Sequence, residues 1–193
     1  MPGLEHFYLA GGSALTAHLG HRQSDDLDLF SVSADVDLEV VQRAITTRDR
    51  DAVVVDVSDV SLRLRIAGIP VDIVRYPYAP LDRPRPTAGG FPVASLRDVA
   101  VMKLAAIARR GLKRDFWDLH EILSAGLTLR AATNAYRRRF RRTHSDLYAV
   151  LRALTFFDDA EADPAFPRGL TRKHWEAIKR YFRAEAPKIL RAR

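Results

Sequence analysis

Two short segments, AGGS at residues 10–13 and DLDLF at residues 26–30, decide how this chain is expected to fold. The glycines end a short apolar run, and Ser13 then begins a helical pattern that stops at Gly20. Glycine lets the backbone approach an anion closely, and the first turn of a helix has unpaired N–H groups. We therefore predict that Gly12 and Ser13 bind the phosphates of a nucleotide.

The second segment alternates aspartate with leucine. This period of two predicts a strand whose inward residues are Leu27 and Leu29 and whose carboxylates share the opposite face. Carboxylates this close repel each other unless a cation lies between them, and hard oxygen ligands favour Mg²⁺ or Mn²⁺. Asp25 creates an ambiguity of register, and we choose Asp26 and Asp28 because only that pair turns both leucines inward.

A third acid lies in a later strand-like run. Asp72 is a polar residue within the apolar segment at residues 69–74, and the sequence shows no structural reason for it. We predict that it completes the metal site and takes a proton from an attacking hydroxyl. The predicted metal ligands, which are also predicted catalytic residues, are Asp26, Asp28 and Asp72.

One lysine lies in the middle of an apolar helical run. Every residue from 99 to 108 except Lys103 is apolar, which predicts a helix buried on nearly all sides. The Lys103 ammonium must therefore reach solvent along its aliphatic stem or face an anion. We predict that it is a catalytic residue that neutralises a bound triphosphate. Asp115 is predicted to orient Lys103 or to bind the base or ribose, with an ordinary helix-face acid as the alternative.

These motifs resemble the polymerase-beta-like nucleotidyltransferase superfamily and, within it, the AbiEii toxin family. The resemblance rests on residues 11–30, 71–73 and 102–119, and nothing beyond residue 125 contributes to it. It implies a nucleotidyltransferase in which an acceptor hydroxyl attacks the α-phosphorus of an NTP and pyrophosphate leaves. The divalent metal ion would be Mg²⁺ or Mn²⁺.

The resemblance also implies a biological setting. AbiEii-like proteins are toxins of bacterial toxin–antitoxin systems, and several of them add nucleotides to the 3′ ends of tRNA. For this chain the resemblance implies an RNA acceptor, tRNA before others, and a cognate antitoxin protein encoded by a neighbouring gene. Two alternatives remain open. The acceptor could be a small hydroxylated molecule such as an antibiotic, or the protein could be a non-catalytic regulator that binds NTP or RNA.

Charge is distributed unevenly along the chain. The net charge is +7, but residues 1–95 carry nine basic and thirteen acidic residues, whereas residues 96–193 carry 22 basic and 11 acidic residues. A basic half suits a polyanionic acceptor. The densest basic patch is predicted to bind RNA, with a solvated helix face as the alternative reading. Its residues are Arg137, Arg138, Arg139, Arg141 and Arg142.

The secondary-structure pattern changes near the same place. We predict an α/β (α+β) protein with three parts: a nucleotidyltransferase lobe of mixed sheet and flanking helices at 1–76, a linker rich in proline and glycine at 77–94, and a basic, all-helical lobe at 95–193. The predicted strands are 7–10, 26–31, 52–57, 60–67 and 69–75. The predicted helices are 13–19, 36–48, 96–110, 114–124, 129–140, 144–156 and 172–190.

Composition excludes several classes of protein. The chain has no cysteine, which excludes disulfides, thiolate chemistry and cysteine-ligated zinc. It contains no stretch of eighteen apolar residues and no N-terminal pattern of charge followed by an apolar run. We therefore expect a cytoplasmic protein without a membrane segment.

Overall fold

The computed structural model describes residue 4 and residues 6–33, 35–88, 90–141 and 146–191. Two compact units divide the chain, Met1–Ser95 and Leu96–Arg193. The first contains β1 (Tyr8–Leu9), α1 (Gly11–Leu19), β2 (Leu27–Ser31), α2 (Leu38–Arg48), β3 (Val53–Val57), β4 (Ser61–Ile66) and β5 (Ile69–Arg75). The second contains α3 (Leu96–Arg110), α4 (Lys113–Ser124), α5 (Leu129–Arg139), α6 (Leu147–Ala153), α7 (Asp158–Ala162) and α8 (Arg172–Arg191). The predicted mixed α/β class is confirmed.

The strands of the first unit form one mixed sheet in the order β1-β2-β5-β4-β3. The pair β2 and β5 is parallel, and the other pairs are antiparallel. One face of the sheet packs against α2, which begins directly after its N-cap Asp37, because that carboxylate accepts hydrogen bonds from the first-turn N–H groups. The core on this face consists of Phe7, Leu29, Val36, Leu38, Val41, Ile45, Leu62, Leu64, Val71 and Ile73.

Burial of the core sets the orientation of every strand residue. Each aliphatic or aromatic side chain in it contributes about 1.5–3 kcal/mol to folding. A slip of one residue in any strand would move its apolar set to the opposite face, so register is strongly specified. Side chains that alternate with the core residues therefore all project from the opposite face of the sheet.

A tight hairpin links β4 to β5. Ala67 and Gly68 form the turn between the paired residues Ile66 and Ile69, and both turn residues have positive φ, 48° and 81°. Positive φ at both central positions is typical of the type I′ hairpin, whose twist matches that of the strands. The turn sets the pairing of the whole hairpin, because residues at equal distance from it lie opposite each other.

The second unit is helical and has an aromatic core. Phe116 on α4 contacts Phe157, Trp175 and Phe182, with ring centroids 5.0, 5.8 and 5.7 Å from its own. Trp175 and Phe182 both come from α8, so this cluster joins the longest helix of the unit to α4. None of the helices among the described residues is long and apolar enough to cross a membrane.

Most of the predicted helices differ from the observed ones by one or two residues at one end, and the prediction for α6 differs by three at each end. Helix α1 starts at Gly11 rather than at Ser13, because the two glycines themselves form its first turn. Helix α6 covers Leu147–Ala153, whereas the prediction ran from 144 to 156. The part of that prediction at residues 144–145 lies outside the described residues.

A short acidic helix, α7, is absent from the prediction. Five residues are too few to show a helical period, so the sequence pattern could not reveal it. Tertiary contacts hold α7 in place, since Glu161 accepts hydrogen bonds from Trp175 Nε1 at 2.9 Å and Lys179 Nζ at 2.6 Å. The hydrogen bond from Lys179 is the main reason that the pKa of Glu161 is lowered.

The segment predicted as a linker is ordered at its C-terminal end. Arg85 and Val93 exchange backbone hydrogen bonds of 2.9 and 2.8 Å, and Val93 is buried. The Leu9 N–H donates to the Pro92 carbonyl at 2.7 Å, and the Ala94 N–H donates to the Leu9 carbonyl at 2.9 Å. This end of the segment therefore packs beside β1 in the sheet unit.

Candidate active site

The sheet brings two of the predicted acids into direct register. Asp28 on β2 lies beside Asp72 on the parallel strand β5. Paired residues on adjacent strands project from the same face, and the strands are about 4.8 Å apart. The next pair, Leu29 and Ile73, is buried in the core, so the two carboxylates lie on the opposite face. Two acids in this position favour a bound cation.

The same row of the sheet continues with a base and another acid. Arg63 on β4 is paired with Asp72, and its Nε donates a hydrogen bond of 3.0 Å to Asp72 Oδ1. Asp56 on β3 is paired with Arg63 on its other side. Across four strands, the row therefore consists of Asp28, Asp72, Arg63 and Asp56, and we call it the acidic row.

Arg63 is not among the predicted site residues, although the sequence contains a signal for it. The hairpin turn at residues 67–68 pairs residues at equal distances from it, which places Arg63 opposite Asp72. Alternation with the buried Leu62 and Leu64 also turns Arg63 away from the core. Recognising the turn from Ala67 and Gly68 would have supplied this pairing, but alanine is an uncommon residue at positive φ.

A glycine turn approaches Asp28 from α1. Gly11 has a φ of +56°, and a Cβ atom on it would lie 2.0 Å from Asp28 Oδ2. The Gly12 N–H donates a hydrogen bond of 3.3 Å to the same carboxylate oxygen. Glycine is therefore required at Gly11 both by the backbone conformation and by the closeness of the acid. The first turn of α1 carries no side-chain cap, and its positive dipole end lies beside this carboxylate.

Ser13 contacts the backbone of the acidic segment. The side chain is buried, its hydroxyl donates a hydrogen bond of 2.6 Å to the Asp26 carbonyl, and it accepts one of 3.4 Å from the Asp28 N–H. Both bonds fasten α1 to the start of β2, and binding of a phosphate by Ser13 stays a prediction. Ser13 thereby positions the acids on either side of Leu27.

The loop before β2 supplies two further side chains. Ser24 donates a hydrogen bond of 2.7 Å to Asp26 Oδ1. A Cβ on Gly12 would lie 2.5 Å from Ser24 Oγ and 3.0 Å from Arg22 Nη2. Arg22 and Ser24 therefore lie against the glycine turn, and neither of them is among the predicted site residues. Their signal is only their place between the two segments, which is typical of any polar loop.

The structure gives a different reason for choosing Asp26 and Asp28 over Asp25. Leu29 is 5% exposed as expected, whereas Leu27, which shares the core face through its pairing with the buried Val71, is 40% exposed. Leu27 is the first residue of β2 and lies beyond the two-residue strand β1, which leaves one of its sides uncovered. Asp25 is exposed, whereas Asp26 is bound by Ser24. Contacts, rather than burial of leucines, support Asp26 and Asp28.

The donor set suits a hard divalent cation. Three carboxylates come from two adjacent strands and the turn before one of them, and oxygen ligands are those that Mg²⁺ and Mn²⁺ prefer. Because Gly11 carries no Cβ, the glycine turn can lie directly against Asp28 Oδ2. The residues that would hold the ion are Asp26, Asp28 and Asp72.

Lys103 lies in a buried network of charges in the helical unit. Its ammonium is 3.1 Å from Asp115 Oδ1 and 2.7 Å from Asp118 Oδ2, and its side chain is only 8% exposed. Arg110 binds both oxygens of Asp115, at 2.8 and 3.0 Å. Of the two predicted possibilities, solvent or an anion, the structure shows that Lys103 faces anions. These anions are side chains of the same unit. We call these four residues the buried charge network.

The buried charge network determines the acidity of Asp115. Burial by itself would raise the pKa of this carboxyl, but the Lys103 ammonium and the Arg110 guanidinium outweigh it and hold the pKa below its ordinary value of 3.8. Asp115 is fully buried, so it is not an ordinary helix-face acid. Asp115 is therefore ionised at neutral pH, and its carboxylate binds the side chains of Lys103 and Arg110.

Nearly the whole chain is similar to a known protein family. The family model described as "Nucleotidyl transferase AbiEii toxin, Type IV TA system" matches residues 2–192. The chain belongs to the AbiEii nucleotidyltransferase toxin family. An uncharacterized protein of Aquifex aeolicus is 30% identical to it over 187 residues, which are 95% of this chain and 88% of the relative.

Solved structures agree with the AbiEii assignment at the level of the fold. The nucleotidyltransferase toxin MenT4 of Mycobacterium tuberculosis matches with a TM-score of 0.59 and 19% identity, over 96% of this chain and 78% of MenT4. A putative nucleotidyltransferase of Helicobacter pylori matches with a TM-score of 0.54 and 14% identity, over 99% and 91% of the two chains. The resemblance inferred from the sequence motifs is thus confirmed, and the protein is a nucleotidyltransferase.

Family membership supplies the general partners of this AbiEii protein. Nucleotidyltransferases use an NTP and a divalent metal ion, and a toxin of a toxin–antitoxin system has an antitoxin partner. The acidic row and the glycine turn contain the residue types that such chemistry needs.

The arginine patch of this AbiEii protein is smaller than predicted. Arg139 is buried, with 1% of its side chain exposed, and its Nη1 lies 3.0 Å from Asp98 Oδ1. The prediction that Arg139 contacts RNA is therefore corrected, because its guanidinium is an internal link between α5 and α3. Arg142 lies outside the described residues. Three members remain exposed, Arg137, Arg138 and Arg141.

Proposed function

We propose that this AbiEii-family enzyme transfers a nucleoside monophosphate from an NTP to the 3′ end of an RNA, with tRNA as the principal acceptor, and releases pyrophosphate. The observation that carries the proposal is the in-register pair Asp28 and Asp72 beside the first turn of α1. A pair of acids next to backbone N–H groups suits a metal–triphosphate complex, because it offers ligands for the ion and donors for phosphate.

Each candidate site residue of the sheet unit has a proposed role. Asp26, Asp28 and Asp72 hold Mg²⁺ or Mn²⁺, which when bound stabilises the charge that develops on the phosphate oxygens. Gly12 contributes its backbone N–H to the phosphates, in exchange for the hydrogen bond of 3.3 Å that this N–H donates to Asp28 Oδ2. Ser13 acts as a positioning residue through its bonds to the backbone of the acidic segment.

Asp72 is proposed to accept the proton of the attacking hydroxyl. The Arg63 hydrogen bond to Oδ1 fixes the rotamer of this carboxylate, which is needed for a general base to meet its proton within hydrogen-bond distance. Arg63 is thus a positioning residue that acts through Asp72. The proton passes from the acceptor oxygen to the carboxylate while the oxygen forms its bond to the α-phosphorus and pyrophosphate departs.

Lys103 and Asp115 keep their proposed roles at the nucleotide, with one change. Because the two side chains bind each other, a substitution at either one affects folding as well as nucleotide binding. The role of these residues at the nucleotide must therefore be tested with a variant that keeps the fold. The conservative Lys103→Arg variant retains the charge and serves this purpose.

An RNA acceptor is favoured by the charge of the helical unit. Residues 96–193 carry a net charge of +11, and exposed arginines continue along the last turn of α5. Arginine binds phosphate with a planar fork of donors, which makes it suited to an RNA backbone. A small acceptor would have no use for this charge.

The experiment that tests the proposal is transfer of label from each α-³²P-NTP to total bacterial RNA in the presence of Mg²⁺. The unmutated protein should label a tRNA-sized band, and Asp28→Asn should lower the rate about 10²–10³-fold, as expected on loss of a group that stabilises transition-state charge. Asp25→Asn is the matched control, since this neighbouring acid is exposed, and it should retain the rate. Label that appears only in small molecules would refute the RNA acceptor while leaving the enzyme class intact.

A second variant pair tests RNA binding separately from chemistry. Arg138→Glu with Arg141→Glu should raise the apparent KM for RNA at least about 10-fold and flatten its salt dependence, because fewer phosphate contacts release fewer counterions. Arg48→Glu with Arg50→Glu makes the same charge change on exposed positions of the sheet unit and should have little effect. Equal losses in both pairs would contradict a role for the α5 patch.

The toxin activity has its own test. Expression of the unmutated chain in a bacterial host should stop growth, and co-expression of the protein encoded by the neighbouring gene should restore it. Asp28→Asn should be harmless without that partner. Normal growth with the unmutated chain alone would argue against a toxin that acts on tRNA.

A further inference from the structure

A group of metal-ligating side chains in the helical unit includes none of the residues proposed for the active site. His120 and Glu121 are adjacent on α4, and His174 is near the start of α8. One ligand atom from each residue can be chosen so that all three lie within 4.8 Å of one another. Their side chains are 19%, 23% and 37% exposed, so the group is accessible to an ion from solvent.

The distances within this group suit coordination better than hydrogen bonding. His120 Nδ1 is 3.4 Å and His174 Nε2 is 3.3 Å from the same oxygen, Glu121 Oε1. Charge-assisted hydrogen bonds between such groups are about 2.7–2.9 Å long, so these contacts are long for that purpose. Ligand atoms bound tetrahedrally at 2.0–2.1 Å are about 3.3 Å apart, which agrees with both distances.

We infer that His120, Glu121 and His174 form a site for a borderline divalent cation of the Zn²⁺ type. Two imidazoles and one carboxylate are a ligand set that zinc uses, with water in the fourth position. Imidazole nitrogen selects Zn²⁺, Co²⁺ or Ni²⁺ over Mg²⁺, whose sites consist of oxygen. The site is therefore chemically distinct from the three carboxylates proposed to bind Mg²⁺.

Neighbouring aromatic rings hold the two imidazoles. The His120 ring meets Tyr181 edge-on, with centroids 5.2 Å apart and an interplanar angle of 89°. The His174 ring meets Trp117 in the same manner at 6.3 Å. Support of this kind limits the rotation of ligand side chains, so little entropy is lost when an ion binds.

A cation bound here would fasten α4 to α8. Helix α4 also carries Asp115 and Asp118 of the buried charge network, so its position matters for Lys103. An ion that binds the folded unit and not the unfolded chain raises stability by mass action. The expected effect is a Tm that rises with the concentration of Zn²⁺, which is a stabilising role and not a catalytic one.

The test uses the full-length protein after treatment with EDTA, titrated with Co²⁺ and followed by visible absorption. The unmutated protein should bind one equivalent with the intense absorption of tetrahedral Co²⁺ even in excess Mg²⁺, and Zn²⁺ should displace it. His120→Gln and His174→Gln should each weaken binding at least about 100-fold, the upper range for loss of an outer-shell partner. The matched control is His6→Gln, which changes an exposed histidine of the sheet unit and should bind as the unmutated protein does.

Folding of the variants is checked by far-UV circular dichroism in the absence of metal. Glu121→Gln provides a third variant that keeps side-chain volume and should also weaken binding. The inference is overturned if the unmutated protein shows no stoichiometric Co²⁺ band, or if the band persists in both histidine variants. It is also overturned if Zn²⁺ leaves the Tm of the unmutated protein unchanged.

Discussion

The acidic row of the sheet unit and the buried charge network of the helical unit treat charge in opposite ways. In the acidic row, Asp28 and Asp72 are like charges in direct register, and both are partly exposed. In the buried charge network, Lys103 and Arg110 balance two carboxylates that are fully buried. Like charges held close together destabilise the folded state. Paired buried charges destabilise it strongly when one partner is removed. The first arrangement suits ligand binding, and the second suits structure.

The largest expected effect breaks the buried charge network. Lys103→Met should lower the free energy of unfolding by about 3–5 kcal/mol, because Asp115 and Asp118 would lose a shared buried cation. Urea denaturation followed by circular dichroism measures the change. Asp28→Asn is the counterpart in the acidic row, and it should leave stability unchanged or raise it by up to about 1 kcal/mol. Similar destabilisation by both substitutions would remove the distinction between the two regions.

A second prediction separates the approach to Asp28 from backbone strain. Gly11→Ala places a methyl group 2.0 Å from Asp28 Oδ2 and should lower activity about 100-fold, with a stability loss of about 1–2 kcal/mol. Gly68→Ala has a similar positive φ but nothing within 4 Å of its Cβ, so it should lose stability and keep activity. Rates of pyrophosphate release and Tm values measured together decide this. Full activity of Gly11→Ala would show that the glycine turn is not needed at the acid.

A third prediction concerns the acid sensitivity of the helical unit. The pKa of Asp115 is held below its ordinary value of 3.8, so the folded state binds fewer protons than the unfolded state between the two values. The stability that the Asp115 carboxylate contributes therefore rises with pH through that window. This contribution is fully present above about pH 4 and is lost as the pH falls below 3.8.

Urea denaturation at a series of pH values provides the measurement for Asp115. The stability difference between the unmutated protein and Asp115→Asn should be constant from pH 5 to 7 and should shrink below 3.8. A difference that does not change with pH would mean that the Asp115 carboxylate is not what holds the cations.

The smallest expected effect concerns the base of the acidic row. Arg63→Gln should lower kcat about 10-fold, because Asp72 loses the hydrogen bond that positions it. Stability should change by less than about 1 kcal/mol, since the pair is half exposed and solvent screens it. Steady-state kinetics with separate kcat and KM values tests this, and Arg65→Gln, on the same strand, is the control. An unchanged kcat would show that Arg63 only balances charge.

Much of the fold followed from local patterns in the sequence. The glycine segment, the alternating aspartates and the apolar helix around Lys103 each indicate their own element, because periodicity and turn residues act over a few positions. Boundaries that depend on long-range packing were less accurate. Helix α7 was missed for this reason, as it is held by contacts to residues more than ten positions away.

The sequence by itself determined the family, the class of reaction and the acids to examine, because these depend on residue types at short spacing. Only the tertiary structure decided which strand lies beside which, and therefore that Asp72 pairs with both Asp28 and Arg63. It also decided that Lys103 and Arg139 face internal carboxylates. Local pattern fixes the face on which a side chain lies, but its partner on that face depends on how distant segments of the chain pack.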